Sequence, residues 1–164
     1  MATRNLRSAH LVVASAWAIH ALSWFLPVVK LGELRELVGP VRGWFAFRFA
    51  LSPIWPGEFG VSAFTWYTVL TIASAATTIL FIVGSPLAVW WGSRSVRRSC
   101  AWVAITAFVV NAHWYVLAGS DRKALSVGYF LWWFSFSLLA VGLFGISSDG
   151  TAGQCRQVTQ SGVS

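Results

Sequence analysis

Hydrophobic residues fall into four long blocks that contain no Asp, Glu, Lys or Arg, and polar residues separate one block from the next. The hydrocarbon core of a bilayer is about 30 Å thick and a helix rises about 1.5 Å per residue, so roughly 20 apolar residues cross it. Each block is therefore long enough for a membrane crossing. The predicted spans are residues 9–29, 63–91, 100–118 and 125–146.

The second block is 35 residues long, enough for one kinked helix or for two short passes. Arg4 and Arg7 favour a cytoplasmic N-terminus, because Lys and Arg are enriched beside the cytoplasmic ends of spans. A single pass places the predicted loop of residues 92–99, which contains three arginines, in the cytoplasm too, whereas two passes place it outside. We therefore predict one pass, kinked near Pro86. Alternatively, the helix ends at Gly84 and residues 86–91 lie along the interface.

This pattern predicts an all-α membrane protein, an up-down bundle of four transmembrane helices with both termini in the cytoplasm. Residues 1–148 form its single domain. Residues 30–58, between helices 1 and 2, mix arginines with aromatic side chains and predict an outer interfacial amphipathic segment at the headgroup layer. Residues 149–164 are rich in Ser, Gly, Gln and Thr, which predicts a disordered cytoplasmic tail.

Composition supports a lipid environment. Of 164 residues, 57% are apolar and 10% are charged, against about 25% charged in an ordinary soluble domain. The net charge of +7 is scattered between apolar blocks instead of forming a continuous patch, so nucleic acid is not an expected partner. The lipid bilayer is the expected partner. The small size and general character of the chain indicate a bacterial inner membrane.

Two histidines are candidates for chemistry, because ionisable groups inside a membrane are costly and often functional. His20 and His113 lie about 16 Å and 20 Å from the inner ends of their helices at helical rise. Imidazoles from two facing helices are the axial ligands of a b-type haem. Alternatively, each ring hydrogen-bonds to a neighbouring helix. Asn111 lies about 180° around the helix from His113 and predicts an interhelical hydrogen bond.

Small and hydroxyl-bearing side chains form stripes on two helices. They are Thr71, Ser74, Ala75 and Thr78 on helix 2, and Gly128, Ser135 and Gly142 at heptad spacing on helix 4. Such residues let helices approach closely, and the first stripe could instead line the pore of an oligomer. No charged residue lies within any span, and no HExxH, GxSxG, P-loop or GxGxxG pattern occurs, so the sequence offers no catalytic residues.

Three aromatic motifs suggest a resemblance. They are WFAFRF at Trp44–Phe49, SPIW at Ser52–Trp55 and GYFLWWF at Gly128–Phe134. With this layout the chain resembles small uncharacterised four-helix bacterial membrane proteins. The resemblance implies the architecture and no activity.

Short loops, 11 tryptophans and no catalytic set favour a non-catalytic integral membrane subunit or accessory protein of a larger membrane complex. Its partner would be another membrane protein or a second copy of the chain. The candidate interface residues are Trp44, Phe45, Phe47, Arg48 and Trp55. Two alternatives stay open: a small b-type cytochrome whose haem b is held by His20 and His113, and an oligomeric channel or small-solute transporter.

Overall fold

The computed structural model describes residues 2–30, 41–54, 65–117 and 119–161. The protein is mostly helical, and four of its helices are long and apolar enough to cross a membrane. These helices cover Leu6–Phe25, Thr68–Trp90, Arg94–Leu117 and Val127–Ser148. The four predicted spans are thereby confirmed by length and composition, and the second block forms one long helix instead of two short ones.

The first span is helix α1, Ala2–Phe25, and it ends four residues before the predicted end at Val29. Proline has no amide donor and disfavours helical geometry in the residue before it, so Pro27 ends the helix. Residues Pro27–Val29 form strand β1 instead, paired antiparallel with strand β2, Val41–Arg42. The end of the uncharged block therefore does not coincide with the end of the helix.

Strand β1 also holds the start of the last span. The amide of Lys30 donates to the carbonyl of Ala124 at 2.7 Å, and the amide of Ser126 donates to Val28 at 2.8 Å. These bonds hold residues 125 and 126 against strand β1, so the last helix begins at Val127 and not at the predicted residue 125.

The outer segment contains one short helix, α2, Gly43–Leu51, which follows β2 directly. It lies against the end of α1: the ring centroids of Trp24 and Phe47 are 5.1 Å apart. A Cβ atom on Gly43 would lie 2.5 Å from the Ser23 carbonyl oxygen, so only glycine permits this approach. The remainder of the predicted interfacial segment, at residues 31–40 and 55–58, and the predicted start of span 2 at residue 63 lie outside the described residues.

The second span consists of helix α3, Trp66–Ile79, a π-helical turn at Leu80–Gly84, and helix α4, Ser85–Trp90. Thr65 and Thr68 form a capping box that starts α3. Pro86 lacks an amide donor, and the wider turn directly before it lets the helix continue through this position. Where a kink was predicted near Pro86, the structure has this π-helical turn, and residues 86–90 continue the helix.

The third span is helix α5, Arg94–Asn111, and helix α6, His113–Leu117, with a break at Ala112. The prediction that the three arginines lie in a loop before residue 100 was wrong, because they occupy the first turns of α5. The Ser93 side chain accepts a hydrogen bond from the amide of Val96, which caps the helix. The Arg97 guanidinium donates to the carbonyls of Ala88 and Val89, both at 3.2 Å, and joins α5 to the end of α4.

A 3-10 turn, Gly119–Ala124, leads to the last helix, α7, Val127–Ser161. The helix continues through residues 149–161, where composition predicts disorder, and the chain has no proline after Pro86 to interrupt its backbone hydrogen bonds. The sequence-based expectation and the structure therefore differ over these residues.

Helix α7 packs between α1 and α5, and alanines dominate the contact surfaces of its two neighbours. The buried core consists of Ala9, Val13 and Ala16 of α1, Ala101, Ala104 and Ala107 of α5, Phe81, and Phe136, Leu139, Ala140, Leu143 and Ile146 of α7. A Cβ atom on Gly142 would lie 2.5 Å from a methyl carbon of Val13. This confirms the close approach predicted for the small residues, which stabilises helix pairs in lipid through packing.

Candidate functional site

His20 lies inside the bundle, on the face of α1 that meets α7, and is only 3% exposed. Its Nδ1 atom lies 2.9 Å from the hydroxyl oxygen of Ser135. That hydroxyl in turn donates to the carbonyl of Trp132, one turn earlier in α7, at 2.6 Å. The sequence separates His20 from Ser135 by 115 positions, so only the packing of α1 against α7 makes this contact.

The direction of these hydrogen bonds fixes the imidazole tautomer. A serine hydroxyl has one proton, and the proton of Ser135 goes to the carbonyl of Trp132. The oxygen of Ser135 therefore accepts from Nδ1–H of His20, and Nε2 carries a lone pair. The opposite tautomer would make one hydrogen bond fewer and bury an unpaired N–H group, which is rarer in proteins than an unpaired acceptor.

The Nε2 atom of His20 is buried and has no hydrogen-bond partner within the described part of the chain. Three aromatic rings surround the imidazole. Phe81 stacks on it with a centroid distance of 4.0 Å, Phe136 meets it edge-on at 5.7 Å, and Trp24 lies at 6.4 Å. The result is an oriented acceptor in an apolar environment, where an unmade hydrogen bond is unfavourable by about 1–3 kcal/mol.

A pocket of about 370 Å³ lies between α1 and the π-helical turn, and His20 is part of its wall. The lining residues are Trp17, His20, Ala21, Trp24, Phe25, Phe81, Ile82 and Pro86. The rim is on the outside of the helices, where Phe25 is 71% and Ile82 is 46% exposed. His20 is the only histidine of this wall, and the other lining side chains are apolar or aromatic.

The π-helical turn forms the second wall and is fixed by a chain of hydrogen bonds. The indole N–H of Trp17 donates to the hydroxyl of Ser85 at 2.8 Å, and that hydroxyl donates to the carbonyl of Phe81 at 2.6 Å. The sequence predicted a kink at Pro86 but gave no sign that Phe81 stacks on His20 or that Ser85 meets Trp17. Single π-helical turns occur frequently at functional sites.

A second buried polar cluster surrounds Asn111 of α5, which is fully buried. Its Oδ1 accepts from the hydroxyl of Ser74 at 2.6 Å and its Nδ2 donates to Thr77 at 3.0 Å. The hydroxyl of Tyr129 donates to the Asn111 carbonyl at 3.0 Å, and Trp114 Nε1 donates to Ser74 at 3.2 Å. The interhelical hydrogen bond predicted for Asn111 is confirmed, and the cluster joins the second, third and fourth spans.

His113, the other histidine of the predicted haem pair, has different neighbours from His20. Its ring N–H donates to the carbonyl of Val110 at 2.7 Å, and its ring lies 4.8 Å from Trp114. Tyr129, which contacts Asn111, and Ser135, which contacts His20, are six positions apart on α7, or about 9 Å along the axis. The contacts therefore place the two imidazoles at different levels of the bundle.

The hydroxyl stripe predicted on helix 2 lies inside the single chain. Thr71, Ser74 and Thr78 are all buried. The hydroxyl of Thr78 donates to the carbonyl of Ser74 and accepts from the indole N–H of Trp132 at 3.3 Å. These side chains stabilise contacts between spans, and a pore in an oligomer would have to expose them first.

Four of the five candidate interface residues lie on α2, beyond the end of α1. Trp44 and Arg48 are exposed, with the guanidinium carbon 5.9 Å from the indole ring, whereas Phe45 and Phe47 are half-buried. Trp55 is outside the described residues. The structure thus leaves Trp44 and Arg48 as the accessible members of this group.

In the described ranges, no three His, Cys, Asp or Glu side chains come together in a way that could hold a metal ion. Chemically, His20 offers one unused hydrogen-bond acceptor, Nε2, which is buried beside the aromatic pocket. Comparison with protein-family models, with curated proteins and with solved structures gave no match to this chain.

Proposed function

We propose that the chain is a non-catalytic integral membrane protein that serves as a subunit or accessory protein of a larger membrane complex, in a bacterial inner membrane. The supporting observation is the exposed aromatic and basic face of α2, where Trp44 and Arg48 form one surface at the end of α1. Tryptophan and arginine are the residues most enriched at the energetic centres of protein interfaces. The buried polar groups of the Asn111 cluster, by contrast, are engaged within the chain.

The proposed topology is an up-down bundle with both termini in the cytoplasm. Contacts between α1 and α7 support it, because Ala9 lies against Gly145 and Pro27 lies against Gly128, so the two helices run in opposite directions. The orientation is supported by Arg4 and Arg7 at the start of the first helix and by the cluster at residues 94–98. Green fluorescent protein fused to the C-terminus should fluoresce if that terminus is cytoplasmic. A translocated fusion that does not fluoresce would show that the orientation is the opposite.

Overall charge contributes little to that orientation, because the 12 Lys and Arg residues would divide equally between the two sides. Inside would lie Arg4, Arg7, Arg94, Arg97, Arg98 and Arg156, and outside Lys30, Arg35, Arg42, Arg48, Arg122 and Lys123. The proposed orientation therefore depends on where the basic residues lie, at the start of the first helix and at residues 94–98, and not on their total number.

Isolation from native membranes in a mild detergent tests the accessory function. We expect a complex heavier than the chain and its micelle, with a stoichiometric partner protein. The double variant Trp44→Ala, Arg48→Ala should dissociate from the partner protein. The control Trp90→Ala, which removes an exposed tryptophan of α4, should stay in the complex. A wild-type protein that runs as a lone monomer at every detergent concentration would exclude the proposal.

A b-type cytochrome is a second candidate with one observation in its favour. Metal-bound histidines usually donate their other ring N–H to a neighbouring acceptor, as Nδ1 of His20 does to Ser135. A haem bound to both His20 and His113 would also require the two rings to reach one level. Protein purified after haem-replete expression should show a Soret band if this candidate is right, and its absence would exclude it.

A further inference from the structure

We propose that the pocket between α1 and the π-helical turn binds a lipid-soluble phenol or hydroquinone, whose hydroxyl group donates a hydrogen bond to Nε2 of His20. This ligand site goes beyond the accessory function and does not depend on it. It rests on a buried, unpaired and oriented acceptor whose imidazole belongs to the wall of an aromatic pocket. Because Nε2 is itself buried, a ring beside it must move aside before the hydroxyl of the ligand reaches it.

The acceptor selects the polar group of the ligand. Nδ1–H of His20 is engaged by Ser135, so the imidazole presents only the lone pair of Nε2. A ligand must therefore donate a hydrogen bond, as a hydroxyl does. A ketone, an ether or an oxidised quinone has only acceptors and cannot pair with Nε2. The ligand is also uncharged, because a net charge inside the bilayer is strongly unfavourable.

The walls select the shape of the ligand. Four aromatic side chains, Trp17, Trp24, Phe25 and Phe81, line the pocket together with His20. Aromatic rings stack face to edge or offset against one another, which favours a flat ring system over a branched aliphatic one. The volume of about 370 Å³ lies at the lower end of small-molecule sites, about 300–1,000 Å³, and so suits one or two fused rings.

The rim of the pocket selects the route of entry. Ala21, Phe25 and Ile82 are exposed on the outer faces of two helices that cross the membrane by length and composition. A molecule dissolved in the bilayer can therefore enter sideways and leave an aliphatic tail in the lipid. His20 lies five residues before the end of α1, about 8 Å below it at helical rise, so the hydroxyl would sit beneath the headgroup layer.

Two probes, a naphthol and its methyl ether, test the proposal, because O-methylation removes the hydrogen-bond donor and keeps the ring system. Calorimetric titration of the full chain in phosphatidylcholine nanodiscs, with empty nanodiscs subtracted, should show saturable binding of 2-naphthol at one site per chain. 2-Methoxynaphthalene, which lacks the hydroxyl proton, should bind about tenfold more weakly. Equal affinities for the two probes, or heat that only reports partitioning into lipid, would overturn the proposal.

Three variants locate the site. His20→Leu should remove the preference for 2-naphthol over the methoxy probe, and a preference that survives would place the donor contact elsewhere. Ala21→Trp adds an indole at the exposed rim without touching the core and should reduce the binding of both probes to background. This second variant keeps the test decisive if His20→Leu does not fold, and wild-type binding by Ala21→Trp would refute the site.

The matched control is His113→Leu, which removes the histidine that contacts Trp114 outside the pocket. It should bind both probes like the wild type, and loss of the naphthol preference in this variant would also count against the assignment to His20. Detergent-solubilised partner proteins are not needed at any step. Failure of probe binding and failure of the accessory function are therefore distinguishable results.

Discussion

The clusters at Asn111 and at His20 are both buried polar centres between membrane-spanning helices, yet they differ in completeness. At Asn111, the side-chain amide accepts from Ser74 and donates to Thr77, and its backbone carbonyl accepts from Tyr129. At His20, one ring nitrogen is bound to Ser135, and the other has no partner among the described residues. The first centre is complete as a structural element, whereas the second has a vacant acceptor beside a pocket.

This contrast separates two uses of polarity in a membrane. A saturated cluster joins helices, because its hydrogen bonds would be lost if the helices moved apart. An unsaturated group is unfavourable for the folded protein and is retained where a ligand or a reaction uses it. From the sequence alone, His20 and His113 are equal candidates for a functional role. Their contacts in the structure are different.

The largest expected effect is on stability and concerns the two centres directly. Asn111→Leu should lower the free energy of unfolding by roughly 1–2 kcal/mol, because it removes two interhelical hydrogen bonds and leaves the hydroxyl of Ser74 without its acceptor. His20→Leu should lower it by much less, since the same change that breaks the bond to Ser135 also removes an unpaired acceptor. Reversible unfolding in mixed micelles measures both values.

If Asn111→Leu and His20→Leu lowered the free energy of unfolding equally, the comparison would fail, because His20 would then be as important for stability as Asn111. A loss at His20 with none at Asn111 would reverse it. His113→Leu is a useful reference here, since its ring donates only to the backbone of its own helix region.

A smaller effect is expected at the edge of the Asn111 cluster. Tyr129→Phe removes the hydroxyl that donates to the Asn111 carbonyl and leaves the buried ring in place. The free energy of unfolding should fall by about 1 kcal/mol, the typical net value of one hydrogen bond. Tyr115→Phe, at a half-exposed position of α6, is the control and should change stability less, measured in the same micelles.

The smallest effect is a change in ligand preference at the His20 centre. Ser135→Ala removes the acceptor of Nδ1–H, so the imidazole is free to carry its proton on Nε2 and to donate instead of accepting. The roughly tenfold preference for 2-naphthol over 2-methoxynaphthalene should then narrow to about threefold. An unchanged preference would mean that Ser135 does not set the tautomer. Ser137→Ala, on the exposed face of α7, is the matched control.

The sequence predicted much of the architecture because the bilayer imposes a simple length rule. A block without charged side chains and at least 20 residues long can satisfy its backbone hydrogen bonds in lipid only as a helix. That rule located all four spans, and Pro86 indicated the irregular turn in the second. The same reasoning failed at Val29 and at the arginines 94–98, where local pairing and capping decided the helix ends.

What the sequence by itself determined was thus the number and approximate position of the spans and the polar residues inside them, with Pro86 marking the neighbourhood of the π-helical turn. Only the tertiary structure decided which of those residues meet. Ser135 reaches His20 across 115 positions and Asn111 reaches Ser74 across 37, and no local pattern encodes such pairs. The reason is physical: lipid gives every apolar helix the same environment, so the partner of a buried polar group is chosen by the close packing of small residues such as Gly142, which becomes visible only in the assembled bundle.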